Sequence, residues 1–163
     1  MSRWRHVAAG VLCPGVVTLL VPALIVWSTG AGIAPFGLLG LALIAAGLLL
    51  VVSTIRLFAT VGRGTLAPWD ATTRLVVRGP YRYIRNPMIS GVLLILLGEA
   101  ALFASPALLA WFGVVLAVNA VYMPLVEEPG LQRRFGEEYE RYRAHVPRWI
   151  PRLRPWDEPG SGR

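Results

Sequence analysis

The chain has 163 residues, 55% hydrophobic and only 15% charged, with a net charge of +7. That length fits one domain, and the charge content, well below the roughly 25% of soluble domains, ranks a membrane protein ahead of an ordinary soluble fold. All sixteen basic residues are arginine, set beside apolar segments rather than gathered in one arm, which points to phospholipid headgroups and not to nucleic acid.

Arg3, Arg5 and His6 precede an uncharged run from Val7 to Ser28. It is long enough for a spanning helix, which needs roughly 20 residues. A signal peptide has a shorter apolar core, of about 7 to 15 residues. Cys13 lies inside this run and supports neither a disulfide framework nor a metal site. Pro14 and Pro22 are tolerated in a transmembrane helix when neighbours satisfy the freed carbonyls. The next uncharged run begins at Pro35, and the second helix is expected over residues 35–60, with Arg56 snorkelling to the interface.

From Gly62 to Pro87 the chain turns polar, with Gly62, Gly64, Pro68, Gly79, Pro80 and Pro87 and with arginines 63, 74, 78, 82 and 85 against the single acid Asp70. A connection this long in a compact domain is functional or disordered, and its aromatic content argues against disorder. Third and fourth helices are expected over 88–104 and 107–126, joined in a hairpin by Ser105-Pro106. Beyond them Leu131, Phe135, Tyr139, Tyr142 and Val146 recur at helical spacing with charges on the other faces, which predicts an amphipathic interfacial helix over about 130–146. The Pro- and Arg-rich tail reads as irregular and solvent-facing.

The arginines also set a topology. The turns at 29–34 and 105–106 have none, so the positive-inside rule places the N-terminus, the 62–87 loop and the C-terminal region in the cytoplasm. The expected fold is therefore all-α: a single multi-pass cell-membrane domain of four transmembrane helices, a cytoplasmic loop and an interfacial helix.

Two polar clusters then share the cytoplasmic side. One is the loop with Tyr81, Arg82, Tyr83 and Arg85. The other is Glu127-Glu128, bracketed by Pro124 and Pro129 at a helix C-terminus, where the dipole disfavours negative charge and a cationic partner is implied. Either a loop arginine or a cationic ligand answers that need. Within the spans, Glu99 is the ionisable residue to weigh, and its depth matches that of Asn119 closely enough for a hydrogen bond across the hairpin.

Gly79-Pro80-Tyr81-Arg82-Tyr83-Ile84-Arg85-Asn86-Pro87, followed after one hairpin by Glu127-Glu128, Leu131, Phe135-Gly136-Glu137-Glu138-Tyr139, Tyr142, Val146 and Pro151, resembles the isoprenylcysteine carboxyl methyltransferase family and related phospholipid N-methyltransferases. The resemblance covers roughly Leu66 to Pro151. It implies an integral membrane enzyme that binds S-adenosylmethionine in a cytoplasmic pocket roofed by the C-terminal region, with a lipophilic acceptor arriving from the bilayer. Carried over by position, the cofactor residues are Arg74, Leu75, Val76, Tyr81, Asn86, Pro87, Met88, Ile89 and Glu127. Glu128 and Arg85 are the catalytic candidates, Glu128 as a base for an amine acceptor.

Three positions depart from the family pattern. Asn86 stands where the family commonly has His, and Ile89 where it has Tyr; an amide cannot titrate near neutral pH, which removes a general base there. Met123 replaces an arginine associated with the acceptor in the prenylcysteine enzymes, which argues against a carboxylate acceptor held by charge. Two other readings compete: a small proton-coupled transporter using Glu99, and a non-catalytic membrane partner that keeps the fold.

Overall fold

In the computed structural model, which describes residues 15–35, 37–57, 60 and 75–157, the long apolar runs are helical and no strand occurs among the described residues. Helix α1 spans Val16–Thr29, α2 Leu38–Leu57, α3 Pro87–Leu102, α4 Pro106–Tyr122, α5 Glu128–Phe135 and α6 Glu137–His145. The expected ends of the first two helices, at 7–14 and 58–59, and loop residues 62–74 lie outside the described residues.

Helix α1 opens with a π turn, Val16–Leu20, in which the Val21 N–H reaches back five residues to Val16 O. In that register Val17 O would next receive Pro22, which has no N–H to give. The Trp111 indole of α4 supplies the missing donor to Val17 O at 3.1 Å. A neighbouring helix thus satisfies a carbonyl that proline leaves free.

Helices α2 and α3 pack antiparallel through glycine. A Cβ on Gly40 would stand 2.5 Å from Gly98 O, and one on Gly98 2.7 Å from Gly40 O. Gly47 and Gly91 repeat the contact, at 2.6 Å to Gly91 O and 2.9 Å to Gly47 O. Small residues at such crossings let backbones approach where lipid offers no hydrophobic drive for association. The Ala34 N–H bonds to Leu102 O at 2.8 Å and ties the far end of the pair.

Ser105 caps α4, its hydroxyl accepting from the Leu108 N–H at 3.4 Å, and Pro106 takes the first turn, where no N–H is needed. The helix does not stop at Tyr122. A π turn, Met123–Glu127, carries it into α5, with the Glu128 N–H bonding five residues back to Met123 O. Pro124 and Pro129 explain the widening, because each ring would clash with a carbonyl in α-helical register. The result is one 30-residue rod, Pro106–Phe135, which with α2 makes two helices long and apolar enough to cross a membrane. Helices α1 and α3 are apolar but shorter.

The expected interfacial helix is corrected in two ways. It is broken at Gly136, whose φ of 51° suits glycine, into the end of the rod and α6. Its apolar stripe also faces protein: Tyr139, Tyr142 and Val146 form a buried cluster with Trp156, joined by Leu131, Phe135, Leu75 and Val77. The tail is irregular as expected but does not simply face solvent, since Trp156 is buried in this cluster, stacked on His145 at 5.4 Å. A separate apolar core lies in the bundle, where Val92, Leu93, Leu96 and Val115 gather side chains from all four apolar helices.

Candidate functional site

The loop enters the site through the left-handed Gly79, φ 55°, which starts a short 3-10 turn, Gly79–Arg82. The turn buries Tyr81 and is held by the C-terminal strap, residues 147–157. Arg85 N–H bonds to Pro147 O at 2.9 Å, Arg152 N–H to Tyr83 O at 3.0 Å and Trp156 N–H to Arg82 O at 2.9 Å. Tyr142 adds its hydroxyl, donated to Tyr81 O at 2.7 Å. Arg82 gives Nε to Trp156 O at 3.1 Å and its guanidinium to Asp157. Burial pushes the hydroxyls of Tyr81 and Tyr142 well above the usual tyrosine range, so both stay protonated.

Opposite this loop, the π turn presents the acidic pair just beyond Val126, the last residue of the apolar stretch. Glu128 is buried and saturated. Arg148 donates Nε to Oε1 at 2.6 Å and its second nitrogen to Oε2 at 2.8 Å, and Arg85 reaches Oε1 at 2.9 Å. Burial works to raise its pKa, but the Arg148 hydrogen bonds and the charges of Arg85, Arg148 and Arg143 outweigh it and hold the carboxyl below its ordinary value.

Glu127 is the opposite case. It is half-buried, and no hydrogen bond or ion pair reaches its side chain among the described residues. Burial first, and the neighbouring Glu128 charge second, push its carboxyl up, and it lies close enough to raise Tyr81 in turn. One carboxylate of the pair therefore holds the architecture together, and the other is left facing the Tyr81 turn.

Of the residues carried over by position, the structure gathers three at the π turn. Tyr81 and Glu127 sense each other electrostatically, and the Asn86 amide donates to the sulfur of Met123, which is only 3% exposed. Asn86 O also receives the N–H and hydroxyl of Ser90, at 3.0 and 2.9 Å, which secures the start of α3. Pro87 is buried at the first position of α3 and Val76 is buried before the turn. Met88 is half-buried beside them. Leu75 and Ile89 face apart, Leu75 into the tyrosine cluster and Ile89 into the bundle core. Arg74 lies outside the described residues.

Three participants escape sequence reasoning: Arg148, Trp156 and Asp157. Only Trp156, a large aromatic isolated in a Pro- and Arg-rich tail, carried a signal. The Glu99–Asn119 bond expected across the hairpin is not formed. Asn119 donates instead to Val115 O of its own helix at 2.8 Å, and Glu99 Oε2 is buried without a partner among the described residues. An apolar cavity of about 330 Å³ lies at the α3–α4 turn, lined by Leu97, Ala100, Ala101 and Leu109 among others. It is some 20 Å along α3 from Pro87 by helical rise and contains no titratable group, so it is not part of this site.

Comparison with known proteins follows the same residues. Positions 36–138, more than half of the chain, match the phospholipid methyltransferase family. The chain is 34% identical over 76 residues to methanethiol S-methyltransferase 2 of Bradyrhizobium diazoefficiens, covering 45% of this chain and 27% of that protein. It is 39% identical over 44 residues to an uncharacterised protein of Haemophilus influenzae, 26% of this chain and 70% of that one. The chain thus spans only about a quarter of the named relative's length. No solved structure matches it.

Proposed function

Since the chain belongs to the phospholipid methyltransferase family, we propose that it is a membrane methyltransferase that uses S-adenosylmethionine and methylates a lipophilic acceptor at the cytoplasmic face. The observation that carries this reading is the contrast within the acidic pair: Glu128 is saturated by Arg148 and Arg85, while Glu127 beside Tyr81 has no cation among the described residues. A half-buried carboxylate next to an aromatic ring suits a ligand that bears both an ammonium and a sulfonium group. In this reading Glu127 binds the ammonium, Tyr81 and Val76 wall the site, and Asn86 and Met88 line its mouth near α3. Arg74 is proposed with them on position alone.

The cofactor supplies an activated methyl group whose leaving group is a neutral thioether. What remains for the protein is to align the acceptor and exclude water. Loop and strap provide the enclosure through their three backbone bonds. We assign Glu128 and Arg85 to positioning rather than proton transfer, because a carboxylate whose oxygens already accept three charge-assisted bonds is a weak base. Arg85 and Arg148 are both committed to Glu128, and Met123 stands where a cation would receive an acidic headgroup. The reading therefore favours an acceptor without a carboxylate. The name of the Bradyrhizobium relative adds methanethiol to the acceptor panel.

Four spans with both termini in the cytoplasm complete the proposal. The test is calorimetric binding of S-adenosylmethionine and S-adenosylhomocysteine to the purified protein beside Glu127→Ala. Micromolar binding that the variant loses is the expected result. No binding by folded protein, in detergent and again in lipid nanodiscs, sinks it. Glu99 Oε2, buried and without a partner among the described residues, favours one rival, proton-coupled transport. In that case Glu99→Gln abolishes function and Glu127→Ala does not.

A further inference from the structure

The outer edge of the strap has features that methyl transfer does not use. Trp149 is half-buried and packs on the bundle core of Val92, Leu93, Leu96 and Val115. Its backbone therefore sits where the apolar bundle meets the polar half of the molecule. The chain then turns outward: Ile150 is 79% exposed and Leu153 99%. Between them the strap is pinned by the Arg152 N–H bond to Tyr83 O at 3.0 Å. The Arg152 guanidinium is occupied by His145 O at 2.8 Å, whereas Arg154, one residue past Leu153, has no acid partner among the described residues.

From this arrangement we infer that Ile150 and Leu153 form a wedge inserted into an anionic phospholipid surface, with Arg154 on a lipid phosphate. Two observations select that occupant. The wedge follows directly on Trp149, which packs on the apolar bundle, so it stands at headgroup depth. The cation beside it calls for negative charge; a second copy of the chain would bring another arginine-rich face, which repels. The inference does not depend on the methyltransferase reading.

The test uses the full chain in nanodiscs, with Cys13→Ser as background and a fluorescent label on Ile150→Cys, Leu153→Cys or, as control, the exposed α6 position Glu137→Cys. Lipids carrying a headgroup nitroxide serve as the quencher. Quenching at 150 and 153 is expected to exceed that at 137 by about threefold in discs containing phosphatidylglycerol and to weaken in pure phosphatidylcholine. Arg154→Gln is expected to remove the difference between the two lipids. Quenching at the control level in both lipids overturns the wedge. Quenching that is equal in both lipids overturns the phosphate contact. Shielding that appears in detergent and grows with protein concentration assigns the surface to a second copy and overturns the proposal.

Discussion

The α2–α3 pair and the loop–strap assembly are built on opposite principles. In the first, the backbones themselves touch, and Gly40, Gly47, Gly91 and Gly98 remove everything between them. In the second, charged and aromatic side chains fill the space: the Glu128 pair with Arg148 and Arg85, Trp156 on His145, and Tyr142 on Tyr81 O. The glycine pair has no freedom to adjust and makes a frame. The assembly is made of separable contacts, and that is where a ligand can be admitted.

The largest expected effect breaks the frame. Gly40→Leu puts a Cβ against the backbone of Gly98 and Leu102, which cannot yield, and should cost about 3 kcal/mol or more. Thermal unfolding in detergent should show loss of the cooperative transition, and unchanged unfolding would mean the helices are not in backbone contact.

On the other side, Trp156→Ala should cost roughly 3 kcal/mol at most, and only locally, since it empties the tyrosine cluster and leaves the frame intact. Limited proteolysis of the strap should accelerate while the main thermal transition stays close to wild type. A concerted collapse of both regions would refute their independence.

Glu127→Gln should weaken cofactor binding by about 2 kcal/mol with little change in unfolding temperature. The same variant sharpens a pH prediction. The ammonium of the ligand binds the ionised carboxylate, and burial with the Glu128 charge raises the pKa of Glu127. Affinity should therefore fall as pH drops through that raised value and be flat above it; Glu127→Gln should be flat throughout. Titration calorimetry across the acid range decides.

For Glu128 the pKa shift runs the other way, although the effect is again lost in acid. Its lowered pKa contributes stability that is present above the unfolded value and lost as pH falls through the folded one. Arg148→Met should remove about 1 to 2 kcal/mol at neutral pH, discounted because Arg148 is partly exposed. Arg148→Lys should restore only part of this, because an ammonium cannot make both bonds. Unfolding at neutral and acid pH checks both variants, and the difference between wild type and Arg148→Met should shrink in acid.

Much of this molecule was legible in one dimension. Hydropathy marked the apolar runs that are helical among the described residues, because a helix in lipid must be apolar along a contiguous stretch. Proline and glycine marked the turns at Ser105-Pro106 and Gly79, since their backbone limits are properties of the residue itself, whereas Gly136 breaks a helix that was expected to run through it. The loop and acidic-pair motifs were visible as well, and so was the seven-residue spacing of Gly40 with Gly47 and Gly91 with Gly98, although it was not read as packing.

Other features were settled only by tertiary structure, and they concern which groups remain free. Nothing local distinguishes Glu127 from Glu128. The difference is made by Arg148, twenty residues on, which reaches Glu128 only because the strap folds back over the loop. The helical period of Tyr139, Tyr142 and Val146 announced an apolar face but not that Trp156 and Leu75 would cover it. Asn119 turned to its own helix and left Glu99 Oε2 without a partner among the described residues. Periodicity and backbone limits act between near neighbours and can be read in order; charge pairing and burial are decided between segments that meet only after folding.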